Sequence, residues 1–336
     1  MGVSTPKIAI RIKAAIQAVL PPSVDIKVKK TYRDHLVVDI AGTSLLAAWA
    51  GEGWLAQINS VLKLHDNPPD IIVARKMSEG GKVALKKGGI AWVDELGNAE
   101  FAIGTIIVSR SGNLAVKKEP TTHWTPSVVA AAEAILCTGE ATNDAVIQIT
   151  GLSTGSCTRA LRVLTDLEFL EADTARGPTS GRRIANFAGL LEAYATAAAE
   201  LSPRENLVLG VTWDDPITGI EKLGQKWSKL GVEWAVTGSV ASMVLAPYLT
   251  SVSSGEVYVQ ANTIQELRVI AANSKLEVIK GGRLTIRPFP IETTARLSSL
   301  EDKLRVAPWP RVYADLRRSG VRGEEAAEHL SEVING

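Results

Sequence analysis

The sequence predicts an α/β multidomain protein of α+β organisation. It divides into a mixed α/β domain over residues 1–118, a central winged helix-turn-helix over 119–187 and a second α/β domain over 188–336. Three observations carry this reading. The chain has 336 residues, enough for two or three domains at roughly 150 residues each. Apolar runs of strand length alternate with amphipathic helical stretches towards both ends of the chain. Between them, three short helical segments give way to two strand-like runs around a Gly-, Pro- and Ser-rich loop.

In the first domain, Ile8, Ile12, Ala15, Ile16 and Val19 recur at helical spacing, and Pro21-Pro22 ends that helix. Val24, Ile26 and Val28 alternate with polar residues. Leu36 to Ile40 is nearly all apolar, and Tyr32-Arg33-Asp34 suits the turn of a hairpin. A helix carrying Trp54, Leu55, Ile58, Val61 and Leu62 leads to a buried strand, Ile71-Ile72-Val73, and then to a lysine-rich helix around Val83 and Leu85. Strands at Ile90 to Val93 and Ile106 to Val108 complete a mixed sheet, and Lys117 to Pro126 reads as a linker.

In the second domain, Val128, Val129, Ala132, Ile135 and Leu136 share a helix face that Gly139 ends, and Thr142 caps a shorter helix holding Ala145, Val146 and Ile149. Gly151 makes a turn and Ser153 caps a third helix, whose stripe of Cys157, Ala160, Leu161, Leu164 and Leu167 points inward. Phe169 to Ala172 and Arg183 to Phe187 are expected to pair as the wing. Beyond a helix from Leu190, the last domain alternates elements. Helices are expected at Ile220–Leu230, Gly238–Leu249, Arg311–Arg318 and Glu324–Ile334, and strands at Val232–Val236, Glu256–Gln260, Leu276–Ile279 and Leu284–Ile286.

Composition limits the function classes. With 46% hydrophobic and 22% charged residues, the chain is an ordinary folded one rather than a disordered or coiled-coil one. Its most apolar stretch, Trp234 to Leu249, is short and interrupted by Thr237, Ser239, Ser242 and Pro247, so no membrane span is expected. Lys7, Arg11 and Lys13 precede no continuous apolar run, so a cytoplasmic location is expected. Two cysteines, Cys137 and Cys157, and the scattered His35, His65, His123 and His329 predict neither a disulfide framework nor a metal site, and no cofactor is expected. The net charge of +1 hides a basic first domain, with 16 Lys or Arg against 10 Asp or Glu in residues 1–118.

The third helix of the central domain carries the sharpest chemistry. A recognition helix in the major groove needs short hydrogen-bonding side chains and arginines near its start. Ser153, Thr154, Ser156, Thr158, Arg159 and Arg162 supply them on the side away from the apolar stripe. Arg176, Arg182 and Arg183 flank the loop Gly177-Pro178-Thr179-Ser180-Gly181, as expected of a hairpin tip laid along a phosphate backbone or minor groove. These nine residues are the predicted contacts to double-stranded DNA.

Two patterns point towards enzymes and are incomplete. Gly238-Ser239 at a helix start, followed by Glu256-Val257-Tyr258 on a strand, resembles the nucleotidyltransferase superfamily. That superfamily would have a second carboxylate where Tyr258 stands, and a phenol is no metal-bridging group. Asp70 followed by Asp94-Glu95 echoes restriction-endonuclease-like folds, but the lysine such nucleases need two residues later is missing. No catalytic residue is therefore assigned, and a metal-dependent nucleic-acid enzyme, nucleotidyltransferase or nuclease, stands as the alternative.

Taken in order, several motifs resemble the abortive-infection AbiEi family of antitoxins from type IV toxin-antitoxin systems. They are the segment Gly89 to Asn98, the winged helix, Trp234 to Pro247 with its extension to Thr250, Arg311 to Leu316, and Arg322 to Leu330. The resemblance implies a DNA-binding autorepressor of its own operon. It also implies a C-terminal domain that counters a nucleotidyltransferase-like toxin without a stable complex. The first domain departs from the smaller members of that family, which hold only the winged helix and the C-terminal domain.

Overall fold

The computed structural model describes residues 5–21, 24–32, 34–65, 67–103, 106–111, 124–172, 181–201, 205–249 and 251–335. It is a mixed α/β chain that divides into two compact units, Met1–Glu119 and Pro120–Gly336.

The first unit runs α1 (Thr5–Val19), β1 (Ile26–Thr31), β2 (His35–Ile40), β3 (Thr43–Trp49), α2 (Leu55–Leu64), β4 (Ile71–Ala74), α3 (Glu79–Lys87), β5 (Ala91–Asp94), β6 (Ala99–Ile103) and β7 (Ile106–Arg110). Its seven strands lie side by side in chain order. The pairs β1/β2, β2/β3, β5/β6 and β6/β7 are antiparallel, and β3/β4 and β4/β5 are parallel. Alternation sorts the side chains onto two faces. Leu36, Val38, Ile40, Ala47, Ile71, Val73 and Val93 pack with Ile12, Ile16 and Val19 of α1. Ala48, Ile72, Ala74 and Trp92 pack on the other face with Ile58 of α2 and Leu85 of α3. Two strands, β3 and β6, have no counterpart among the elements expected from the sequence. Ala47 and Ala48 have low strand propensity, and pairing with β2 and β4 places them in a strand.

The second unit opens with α4 (Pro126–Thr138), α5 (Asn143–Thr150), α6 (Thr154–Asp166), β8 (Leu170–Ala172), β9 (Arg182–Ile184) and α7 (Phe187–Glu200). It continues through β10 (Leu207–Leu209), α8 (Pro216–Lys229), β11 (Trp234–Thr237), α9 (Gly238–Leu245), β12 (Gly255–Val259), α10 (Ile264–Asn273) and β13 (Leu284–Pro288). The last elements are α11 (Glu292–Leu297), β14 (Ser299–Glu301), β15 (Leu304–Val306), α12 (Trp309–Leu316) and α13 (Gly320–Asn335). Six of these strands form a mixed sheet in the order β10-β13-β12-β11-β15-β14, and β8 and β9 form a separate antiparallel pair. One contiguous core joins the α4–α7 helices to this sheet.

Three expectations need correction. The wing strand ends at Ile184 rather than Phe187, because Asn186 caps α7 and its side-chain oxygen accepts from the Gly189 N–H at 2.9 Å. The helix from Gly238 stops at Leu245, ahead of Pro247, which cannot continue it. Leu276–Ile279 contributes only a single bridge, Val278 to Leu209, not a strand. The linker reading of Lys117 to Pro126 falls largely outside the described residues, and its last residue, Pro126, begins α4.

Candidate nucleic-acid interface

The turn between α5 and α6 sets the interface. Gly151 ends α5 at φ +70°, in the left-handed region that costs other residues roughly 1 kcal/mol or more, and its N–H donates to the Ile147 carbonyl at 2.8 Å. Ser153 caps α6: its hydroxyl accepts from the Ser156 N–H at 3.3 Å and donates to the Ser156 hydroxyl at 3.0 Å. Cys157, Ala160, Leu161 and Leu164 are buried, whereas Thr154, Gly155, Thr158, Arg159, Arg162 and Asp166 are exposed. At about 100° per residue those exposed positions fan over about 140° of the helix, with Arg162 near its centre, Thr158 to one side and Arg159 at the far edge. The Thr158 hydroxyl donates to the Asn143 side-chain oxygen at 3.4 Å, which ties α6 to the start of α5. Ser156, half-buried and bonded to Ser153, acts within the cap more than towards solvent.

The wing arginines part company. Arg183 is exposed and forms an ion pair with Glu171 across the β8/β9 ladder at 2.9 Å. Arg182 is half-buried and turns back, its Nε donating to the Thr165 hydroxyl at 3.2 Å at the end of α6. Arg176 and the residues 173–180 around it lie outside the described residues. One cation that the sequence did not reveal joins the group: Arg296 of α11 sits against the α5–α6 turn, where a Cβ on Gly151 would lie 2.7 Å from its guanidinium. Only the fold brings α11 there, so no local signal marked it. Arg296 is also held by Glu292 one turn back, at 2.5 Å.

A buried polar network lies behind α4. Glu133, fully buried on α4, accepts hydrogen bonds from the Tyr194 hydroxyl and, at 2.8 Å, from the Thr294 hydroxyl. Burial drives its carboxyl above the usual range, and the two hydroxyl donors and the Arg311 charge only partly offset that. Deeper in, Asp315 accepts from the Thr237 and Tyr258 hydroxyls, each at 2.6 Å, and from Arg311 at 2.7 Å. Burial alone would raise the Asp315 carboxyl, but the Arg311 and Arg287 charges and these donors hold it below the ordinary value.

The two enzyme-like patterns can now be placed. Gly238 opens α9 at φ +61°, and the Glu256 carboxylate lies 3.8 Å from where its Cβ would be, so the expected Gly-Ser and acid are adjacent. Glu256 is paired with Arg287, and Tyr258 is fully buried in the Asp315–Arg311 network. In the first unit, the parallel register sets Ala74 beside Asp94 and Ile71 beside Ala91. Asp70 and Asp94 thus lie at opposite ends of the β4/β5 pair, about 13 Å apart at strand rise. Asp70 accepts from the Leu46 N–H at 2.7 Å. Asp94 accepts from the Leu96 and Asn98 N–H groups at 3.0 and 2.9 Å, and Glu95 pairs with Arg11 at 2.6 Å. Each carboxylate thus has a local structural partner. Among the described residues no cluster of His, Cys, Asp or Glu is arranged to hold a metal ion.

Among the described residues no helix is long and apolar enough to cross a membrane. Comparison with known proteins finds no matching family model, no matching curated protein and no matching solved structure.

Proposed function

We propose that this protein is a transcriptional regulator that binds double-stranded DNA through α6, acting from a cytoplasmic location as autorepressor and antitoxin of a type IV toxin-antitoxin or abortive-infection system. The observation that carries DNA binding is the open face of α6, where Thr158, Arg159 and Arg162 are exposed together beside a two-stranded wing bearing Arg183. In the winged helix-turn-helix reading, α6 enters the major groove and Arg159 and Arg162 reach guanine edges or phosphates, while the wing follows the backbone. Arg296 adds a positive charge at the turn.

The antitoxin part rests on the motifs shared with the AbiEi family, in their order. The six-stranded sheet is read as a retired nucleotidyltransferase-like domain that counters a nucleotidyltransferase-like toxin without forming a stable complex. That reading is favoured over catalysis by the donor set: Glu256 is engaged by Arg287, and a buried phenol stands where a second metal carboxylate would be required.

The test is anisotropy titration of the full chain against duplex DNA from its own upstream region. Arg159→Ala is expected to cost about 1–3 kcal/mol and to relax preference at one base position. Arg183→Ala is expected to weaken all duplexes alike and to lower the salt slope by about 0.9. Affinity that ignores salt, or that survives combined loss of Arg159 and Arg162, would count against the reading.

A further inference from the structure

The seven-stranded sheet of the first unit is covered unequally. On the face opposite α1, the helices α2 and α3 pack over β3, β4 and β5, through Ala48, Ile72, Ala74 and Trp92. The same face of β1 and β2 bears exposed or half-buried residues only. The register decides which they are. Lys27 stands opposite Asp39, and Lys30 opposite Val37, whereas Val28 stands opposite Val38 on the α1 face.

Strict alternation would send Lys27 and Lys30 to opposite faces. The irregularity between Val28 and Lys30 inserts one residue and brings Lys30 round to the uncovered face. Lys29 reaches it too, pairing with Asp39 at 2.7 Å. Three lysines of one strand are thereby gathered on one side. At their end, Tyr32 stacks on His35 with ring centroids 4.3 Å apart, and His65, at the end of α2, meets His35 edge-on at 5.0 Å. Tyr32 is the outermost ring of this stack and is 43% exposed.

A bulged, lysine-bearing edge strand is also a device against strand-to-strand aggregation. The opposite edge of the sheet argues against that as the whole explanation. There β7 has the sequence IIVSR, with no lysine, and Ile107 is 79% exposed, so the protein does not guard its edges with lysine as a rule. Edge protection also gives no reason for an outward-facing aromatic stack beside the charges.

We propose that the uncovered face of β1 and β2 is a docking surface for single-stranded nucleic acid. Lys27 and Lys30 would follow the phosphates, Lys29 being held by Asp39, and the free face of Tyr32 would stack on a base. Charge complementarity selects a polyanion, and the exposed ring selects one whose bases are unpaired, because a duplex hides its base faces. This surface is separate from α6 and does not depend on the duplex-binding reading.

The experiment uses the full chain with fluorescein-labelled oligothymidylate and oligouridylate of about 15 nucleotides, and with a duplex of the same length. Salt-dependent binding of a single strand is expected, and the two oligonucleotides distinguish DNA from RNA as its source. Lys27→Gln with Lys30→Gln should lower the salt slope by about 1.4. Tyr32→Ala should weaken binding roughly tenfold, and Tyr32→Phe should retain it. Combined loss of Arg159 and Arg162 should leave single-strand binding unchanged, which separates failure here from failure of the α6 reading. Circular dichroism of each variant establishes that the fold persists. No single-strand binding, binding unaffected by the lysine and tyrosine substitutions, or preference for the duplex at this surface would overturn the proposal. So would a dimer that the same substitutions dissolve, since a second copy would then be the occupant.

Discussion

Glu133 is a lone carboxylate within the apolar run of α4, and its partners, Tyr194 and Thr294, come from α7 and α11. In the sequence only the apolar stripe of this helix was legible, and Glu133 was not singled out. Its partners were not legible either, because they are distant along the chain and meet it only in the folded core. Its carboxyl is raised, chiefly by burial, so the folded state favours the protonated form. The stability it contributes is therefore complete below the unfolded carboxyl value of about 4.3 and is lost as pH rises through the folded value. Arg311, Asp315 and the Cys137 thiol share that environment, and Asp315 works in the opposite sense, losing its contribution as pH falls through its lowered value. Comparing wild type with a single variant isolates Glu133. Glu133→Gln keeps a polar partner for both hydroxyls and removes the charge. In urea unfolding curves its stability relative to wild type is expected to rise with pH, the gap closing as pH falls towards the unfolded carboxyl value. A wild type that gains on the variant as pH rises would contradict this assignment. Glu133→Ala should instead destabilise at every pH, by about 2–4 kcal/mol, because it leaves two buried hydroxyls without an acceptor.

Elements with strong local punctuation were the legible ones. Thr125, Thr142 and Ser153 each accept a hydrogen bond from the first turn of their helices, and Gly139 and Gly151 close α4 and α5 in the left-handed conformation. Ser153, Thr142, Gly139 and Gly151 can be read from residue type and spacing alone. The three-residue strands β10, β14 and β15 carry too few positions to show a period of two, and their pairing is decided by distant partners. The exposed side of α6 was legible because burial of one stripe defines the other. The splitting of the wing was not, since Arg182 and Arg183 are neighbours of the same type and only the β8/β9 register and Thr165 distinguish them. The α5–α6 turn supports a prediction at this scale. Gly151→Ala meets two penalties, a left-handed backbone and the Arg296 guanidinium at 2.7 Å. It should destabilise the protein by about 1–2 kcal/mol and lower duplex affinity by displacing α6. Adding Arg296→Ala should return the part due to crowding and leave the backbone part. A double-mutant cycle showing no coupling would mean that Arg296 yields freely.

The whole molecule consists of two units whose buried cores share no residue. The clusters built on α1 and on α2/α3 end at Val108, and the cluster of the second unit begins at Val128. The sequence exposes the apolar stripes that make these cores but not which stripes meet, because a stripe specifies a buried face and leaves its partner open. The same holds for the proposed surfaces: the lysines of β1 are plain in the sequence, yet their gathering on one face depends on a bulge that no local pattern announces. Because none of the three clusters crosses the boundary between the units, each unit is expected to fold by itself. A chain of residues 120–336 should therefore fold alone, with an unfolding transition matching the one that unit shows in the full protein. It should keep the duplex affinity and its sensitivity to Arg159→Ala, while losing single-strand binding altogether. The salt slope for duplex DNA is informative here. If it is equal in the full chain and the fragment, α6 and its wing account for every phosphate contact. A steeper slope in the full chain, by about 0.9 for each added contact, would mean that the basic first unit also engages the duplex, and substitution of Lys27 and Lys30 would then have to bring the two slopes together.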